Sequence, residues 1–255
     1  MPLQTPFRAQ GFAFLMLAAV SAWGQPATNR TFAVRAEQAF ARAQKKFADR
    51  PAEAAAAWQL GRASYDWAEF ATNTAQRAAV AQAGIAACRQ LLAREPKSAP
   101  AHYYLAMDFG QLAEAEAPSI AAYKLVKEIE REFKAADELD ETFDFAGPPR
   151  CLGLLYRDAP SWPISIGSKR KAREFLDHAA ALAPDFPENQ LNLAESQVRW
   201  HQPVEAEKAL KKLDALWPAA RTNLVGEVWE QSWDDWTVRR TAVKAEFQKI
   251  FKRAP

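Results

Sequence analysis

A leucine followed by a small residue recurs four times in this 255-residue sequence, at a similar distance after a turn-forming or helix-breaking position. The four pairs are Leu60-Gly61, Leu105-Ala106, Leu152-Gly153 and Leu193-Ala194. They follow Pro51, Pro96, Glu141 and Pro184 by nine, nine, eleven and nine residues. Because regular self-similarity is typical of repeat architectures, the sequence predicts a series of similar structural units.

The second half of each unit repeats as well, and the pattern resembles the tetratricopeptide repeat (TPR), a helix-turn-helix unit of 34 residues. In that unit small residues let the two helices approach closely, and a proline ends the second helix. The aromatic residue that follows the leucine-small pair is present as Phe109 and Tyr156, is shifted by one to Tyr65, and is missing at Gln197. The sequence therefore predicts an all-α fold, an α-solenoid of about four degenerate tetratricopeptide-like helix-turn-helix repeats with capping helices.

The predicted organisation is one helical-repeat domain, residues 25–255, behind a signal peptide, residues 1–24. Its repeats cover about residues 52–96, 97–141, 147–184 and 185–218, after a leading helix from Ala33 to Ala48. Residues 219–255 are predicted to form two capping helices that are separated at Ser232, whose hydroxyl can cap a helix start. The spacing of Trp229, Trp233 and Trp236 places these side chains on one stripe, which favours a core role for them.

The insertions in the first three repeats differ in what they can form. In the second repeat the apolar residues between Ser119 and Asp140 recur at intervals of four and three, which predicts a helix of roughly six turns. In the third repeat Pro160 and Pro163 prevent a helix, so the segment Ala159–Gly167 is predicted to be a shaped loop.

This loop supplies the predicted binding residues. Trp162, Ile164 and Ile166 alternate with Pro163 and smaller residues, and in an extended segment such alternation places the three large side chains on one side. They either cover the ends of their own two helices or contact a partner or ligand.

Lys169 and Arg170 are added as candidates because cations in the first turn of a helix oppose its dipole. Either a carboxylate of the protein, such as Asp158, or an anionic partner is expected to compensate them.

The sequence lacks the motifs of catalysis and of metal or cofactor binding. Its three histidines are too far apart in sequence to form a metal-binding motif, and its two cysteines do not form a C-x-x-C motif. No glycine-rich phosphate-binding loop and no G-x-S-x-G nucleophile motif is present. A formal charge of +2 gives no reason to expect a nucleic-acid partner. The sequence predicts no enzyme activity and no cofactor, with Cys88 and Cys151 as buried, unpaired residues.

The first residues have the order of a secretory signal: a single cation, Arg8, an uncharged run from Phe12 to Val20, and small residues around Gly24. Nine apolar residues are too few to span a membrane, and no later segment is apolar enough to do so. The absence of a cysteine after this run removes the residue to which a lipid anchor would attach. The sequence therefore predicts an exported protein without a lipid anchor, and the family resemblance given next implies the periplasm as its location.

The segment from Gly147 to Glu195 resembles the T component of TRAP transporters, a periplasmic TPR-like protein that accompanies a TRAP solute-binding protein. Four short pieces carry the resemblance: G-P-x-R-x-L-G, A-P-x-W-P, the basic helix start, and A-P-x-F-P-E-N. It implies a stack of four repeats, a homo-oligomer with a trimer as the expected size, and a groove or pore that meets the solute-binding protein. It also implies an apolar or organic-acid ligand as a candidate. The alternative hypothesis is a generic periplasmic scaffold that binds a peptide or an envelope-complex partner.

Overall fold

The computed structural model of the chain describes residues 27–117 and 119–254, so the predicted signal peptide lies outside the described residues. In the described part the chain forms ten α-helices and no β-strand. The helices are α1 (Ala27–Asp49), α2 (Ala54–Ala68), α3 (Thr74–Leu92), α4 (Ala99–Glu116), α5 (Ile120–Leu139), α6 (Phe143–Asp158), α7 (Lys169–Leu182), α8 (Pro187–Arg199), α9 (Pro203–Asn223) and α10 (Glu227–Phe251). None of these helices has the length and apolar character needed to cross a membrane.

The described residues divide into two compact units. The N-terminal unit holds α1 to α5 together with residues 159–166, and the C-terminal unit holds residues 142–158 and α7 to α10. Each of the four predicted repeats contains two helices, from α2 and α3 in the first to α8 and α9 in the fourth. The prediction of a single domain over residues 25–255 stays a prediction.

In the N-terminal unit each helix packs on the next one along the chain, and α2 also contacts α4. Helix α5 begins where the sequence predicts, because the Ser119 side chain accepts a hydrogen bond from the Ala122 amide at 3.1 Å. Its stripe of small and apolar residues, which includes Val126, Ile129 and Phe133, is buried. The extra residues of the second repeat therefore lengthen a helix without moving its buried face.

Helices α2, α3 and α4 approach one another at Gly61 and Gly84. A Cβ atom at Gly84 would lie 2.1 Å from Oδ2 of Asp108 and 2.7 Å from Cβ of Ser64, and a Cβ atom at Gly61 would lie 2.5 Å from Sγ of Cys88. Only glycine fits these two positions without movement of a neighbour. The small residue of the first leucine-small pair is thus required by packing.

Asp108 is fully buried at this crossing. Neither of its carboxyl oxygens has a hydrogen-bond partner in the described part of the chain, and the same holds for Oγ of Ser64. Burial, with a smaller contribution from the charge of Asp66, raises the pKa of Asp108 well above its ordinary value. Asp108 is therefore expected to be a neutral carboxylic acid in the folded protein over a range of pH in which an exposed aspartate is ionised.

The C-terminal unit opens with three consecutive residues in the left-handed region, Asp144, Phe145 and Ala146, with φ angles of 51°, 57° and 62°. Each such L-residue costs about 1–2 kcal/mol. Two buried side chains hold the turn: Arg150 donates to the Phe145 carbonyl oxygen at 2.9 Å, and the Asn189 amide donates to the same oxygen at 3.0 Å. Arg150 and Asn189 are also the arginine and the asparagine of the G-P-x-R-x-L-G and A-P-x-F-P-E-N pieces, which gives these residues a structural role.

The core of the C-terminal unit is aromatic. The Phe186 ring stacks on Phe145 with centroids 4.4 Å apart and meets Trp236 edge-on at 5.4 Å. The Trp236 indole donates a hydrogen bond to Glu188 at 2.9 Å. Trp229, Trp233 and Trp236 are all buried, so the structure confirms the predicted core role of this stripe.

The predicted helix break at Ser232 is wrong. Ser232 is buried inside α10, which is one continuous helix, and the turn before it is made by Gly226, with φ of 97°. Pro218 likewise does not end α9, which continues to Asn223. The tertiary contacts on either side offset the lost backbone hydrogen bond, because the Trp217 ring lies 5.2 Å from Trp233 and Ala220 is buried.

Candidate partner-binding site

The connector between α6 and α7 is a compact turn, not an extended segment. The Ile164 amide donates to the carbonyl oxygen of Ser161 at 3.1 Å, and the Trp162–Pro163 peptide bond is cis. The prediction that Trp162, Ile164 and Ile166 lie on one side is therefore wrong in its premise. Alternation between two sides needs extended backbone, and a chain that folds back at Ser161 does not provide it.

The turn nevertheless exposes part of the predicted set. Trp162 is 85% exposed, the largest value among large apolar side chains in the described residues, and Ile164 is 70% exposed. Pro163 between them is exposed, whereas Ile166 is partly buried. Trp162, Pro163 and Ile164 form what we call the apolar tip. Large apolar side chains that remain together in water are typical of interaction sites.

The cations at the start of α7 have partners within the protein. Arg170 forms an exposed ion pair with Glu174 at 3.1 Å, and Lys169 lies 5.6 Å from the centre of the Trp200 ring. The amino group of Lys171 lies 4.7 Å from the centre of the Tyr156 ring. Cation–π contacts and one ion pair thus provide favourable interactions at this basic turn, so its stability does not require an anionic partner.

Asp158, which the sequence analysis names as a candidate carboxylate partner, does not form an ion pair with these cations. Its oxygens accept hydrogen bonds from Arg157 at 2.8 and 2.9 Å and from Arg199 at 2.5 Å. Arg199 stands at the end of α8 and could not be assigned to Asp158 from sequence distance. This part of the prediction is wrong because Asp158 is already paired with its sequence neighbour Arg157 and with Arg199 of α8.

A second feature was visible in the sequence only as a departure from the repeat pattern. In the second and third repeats the aromatic residues Phe109 and Tyr156 are buried, and Tyr156 stacks on Phe175 with ring centres 5.7 Å apart. Gln197 stands at the corresponding place in the fourth repeat. It lines a pocket of about 240 Å³ formed by residues of α7, α8 and α9. The missing aromatic is the signal that could have located this pocket.

Within residues 27–117 and 119–254 no group of three or more His, Cys, Asp or Glu side chains could hold a metal ion. Cys88 and Cys151 are both buried, as the sequence predicts, and no disulfide joins them in the described residues.

His102 of α4 forms a hydrogen bond with Glu132 of α5. Its Nδ1 atom lies 2.5 Å from a carboxylate oxygen of Glu132, and its Nε2 atom lies 3.0 Å from the carbonyl oxygen of Pro96. Both neighbours are acceptors, so the geometry favours the imidazolium, which donates from both nitrogens. The hydrogen bond to Glu132 raises the pKa of His102.

No protein-family model matches the chain, and no curated protein matches it. Among solved structures the chain is similar to a thermophilic TPR protein of Thermus thermophilus, with a TM-score of 0.61 and 18% sequence identity. The similarity covers 84% of this chain and 93% of that chain. It confirms the predicted fold class, an all-α fold of TPR-like helical repeats.

Proposed function

We propose that this protein is a non-enzymatic helical-repeat binding protein and that the apolar tip is the surface through which it holds a protein partner. The observation that carries the proposal is the exposure of Trp162, because tryptophan is enriched among the residues that dominate binding energy at protein interfaces. The TPR-like fold supports it, since repeat folds of this kind often present binding surfaces.

The finer proposal is that the protein is the accessory T component of a TRAP-type importer, that it is exported to the periplasm, and that its partner is the TRAP solute-binding protein. The four sequence pieces from Gly147 to Glu195 support this assignment. Of these, the A-P-x-W-P piece contains Trp162 and Pro163 of the apolar tip, whereas Arg150 and Asn189 of two other pieces hold the left-handed turn at the start of α6. The expected assembly is a homo-oligomer, with a trimer as the first size to test by light scattering.

The test is capture of a purified TRAP solute-binding protein from the same organism. The purified chain is immobilised, and binding of that protein is measured for the wild type and for a Trp162→Ala/Ile164→Ser variant. The matched control is Ile120→Ser, because Ile120 is a 77% exposed isoleucine outside the tip. Loss of a tryptophan that dominates an interface costs about 2 kcal/mol or more, or about 30-fold in affinity.

The results separate the two levels of the proposal. Binding that falls in the tip variant and survives in the control supports both. If the wild type does not bind the solute-binding protein but retains another envelope protein through the tip, the TRAP assignment fails and the scaffold role stands. If every partner binds the tip variant as tightly as the wild type, the apolar tip is not the binding surface.

A further inference from the structure

The pocket at Gln197 differs from an ordinary surface depression in the composition of its wall. Three cations and two carboxylates face it: Arg173, Lys208, Lys212, Asp177 and Glu205. The apolar side chains of Leu193 and Ala209 form another part of its lining. The pocket thus presents both signs of charge beside a small apolar surface.

Most of these charged groups are not used to bind one another. In the described part of the chain no side-chain hydrogen bond or ion pair is formed by Asp177, Glu205, Lys208 or Lys212. The cations are still close enough to act on Asp177, because Arg173, Lys212 and Lys208 all lower its pKa while burial raises it. Opposite charges that face one space without closing on each other leave room for a ligand between them.

Gln197 adds an independent observation. Its side chain is 3% exposed, and its Oε1 atom is buried without a hydrogen-bond partner among the described residues. Buried polar atoms are normally paired, so this unpaired acceptor marks an imperfectly packed wall beside the pocket. The aromatic side chains at the corresponding positions of the second and third repeats, Phe109 and Tyr156, are buried.

We propose that this pocket binds a small α-amino acid. The carboxylate of the ligand lies against Lys208 and Lys212, and its ammonium group faces Asp177 and Glu205, all four of which are exposed. The side chain rests on Leu193 and Ala209. A volume of about 240 Å³ equals about eight water molecules at about 30 Å³ each, which suits a ligand smaller than a drug-sized molecule. The proposal uses none of the residues of the apolar tip, so it does not depend on the protein partner proposed above.

The test compares ligands that differ by one charged group. Isothermal titration calorimetry is carried out on the full chain with valine, with isovalerate, which lacks the ammonium group, and with isobutylamine, which lacks the carboxylate. Serine and glutamate are titrated in parallel to vary the side chain. We expect an α-amino acid to bind with one-to-one stoichiometry, and both truncated analogues of valine to bind at least tenfold more weakly than valine.

Two variants assign the binding to the pocket. Lys208→Gln/Lys212→Gln removes the partners of the ligand carboxylate, and Asp177→Asn/Glu205→Gln removes the partners of its ammonium group, in both cases at exposed positions. Each is expected to weaken binding at least tenfold. Lys211→Gln is the matched control, since Lys211 is an exposed lysine of the same helix that is paired with Glu207.

Three results would overturn the proposal. The first is an absence of binding for valine, serine and glutamate alike. The second is an affinity for isovalerate or isobutylamine that equals the affinity for valine. The third is binding that is as tight in both pocket variants as in Lys211→Gln.

Discussion

Replacement of Asp108 by asparagine would exchange a buried, titratable oxygen for an uncharged amide nitrogen of similar size. An aspartate in the unfolded chain has a pKa of about 3.9. In the folded protein the pKa of Asp108 is raised well above its ordinary value, mainly by burial, so the folded state keeps a proton that the unfolded state releases. Between the two pKa values the free energy of unfolding of the wild type therefore falls as pH rises, by about 1.4 kcal/mol per pH unit. The free energy of unfolding of the Asp108→Asn variant does not contain this pH-dependent decrease.

The assay is urea unfolding followed by circular dichroism at several pH values between 4.5 and 7.5. The stability of the variant relative to the wild type is expected to increase with pH by up to about 1.4 kcal/mol per pH unit, and to level off above the pKa of the folded state. Asp185→Asn is the matched control, because it is the same substitution at an exposed position. A difference between Asp108→Asn and the wild type that stays constant over the whole range would refute the conclusion that the folded protein protects a neutral Asp108.

Two further perturbations concern the same unit. Gly84→Ala is expected to lower the free energy of unfolding by about 1–3 kcal/mol, because the added Cβ atom clashes with Asp108 and Ser64, although alanine favours a helix over glycine by about 1 kcal/mol. Chemical denaturation measures the change, and Ala86→Gly on the exposed face of α3 measures the effect of helix propensity alone. A Gly84→Ala variant that is more stable than the wild type would contradict the close packing at Gly84. Since the pKa of His102 is raised, the stabilising interaction of its imidazolium with Glu132 is complete below about pH 6.5 and is lost as pH rises through the folded-state value. The difference in melting temperature between the wild type and His102→Gln should therefore shrink as pH rises from 6 to 9. A difference that stays constant over this range would show that the protonation of His102 is not coupled to folding.

The helices were predictable where local sequence and packing agree. The leucine-small pairs and the spacing of apolar residues place the helix pairs, and Ser119 caps α5 as its position suggests. Prediction failed where tertiary contacts override a local signal. The sequence predicts helix ends at both Pro218 and Ser232. In the structure, packing of Trp217 and Ala220 stabilises α9 beyond Pro218, and Ser232 is buried within α10.

The candidate site was predictable in part for a similar reason. Two prolines exclude a helix in the connector, and this local rule identified the segment that exposes Trp162 and Ile164. The direction of each side chain depends on the turn closed at Ser161, which no period in the sequence encodes. The Asp158–Arg199 contact and the pocket at Gln197 join residues that are far apart in the chain, and the sequence contained only an indirect sign of the pocket.

The left-handed turn at the start of α6 has a consequence for the order in which the C-terminal unit folds. Its three residues disfavour this conformation, and one of the two side chains that hold it, Asn189, comes from a helix 44 residues away. A turn that depends on so distant a contact gains little stability until α8 has packed against it. We therefore expect the turn to contribute little to the folding transition state and to open early in unfolding, so that substitutions at Asn189 accelerate unfolding much more than they slow folding.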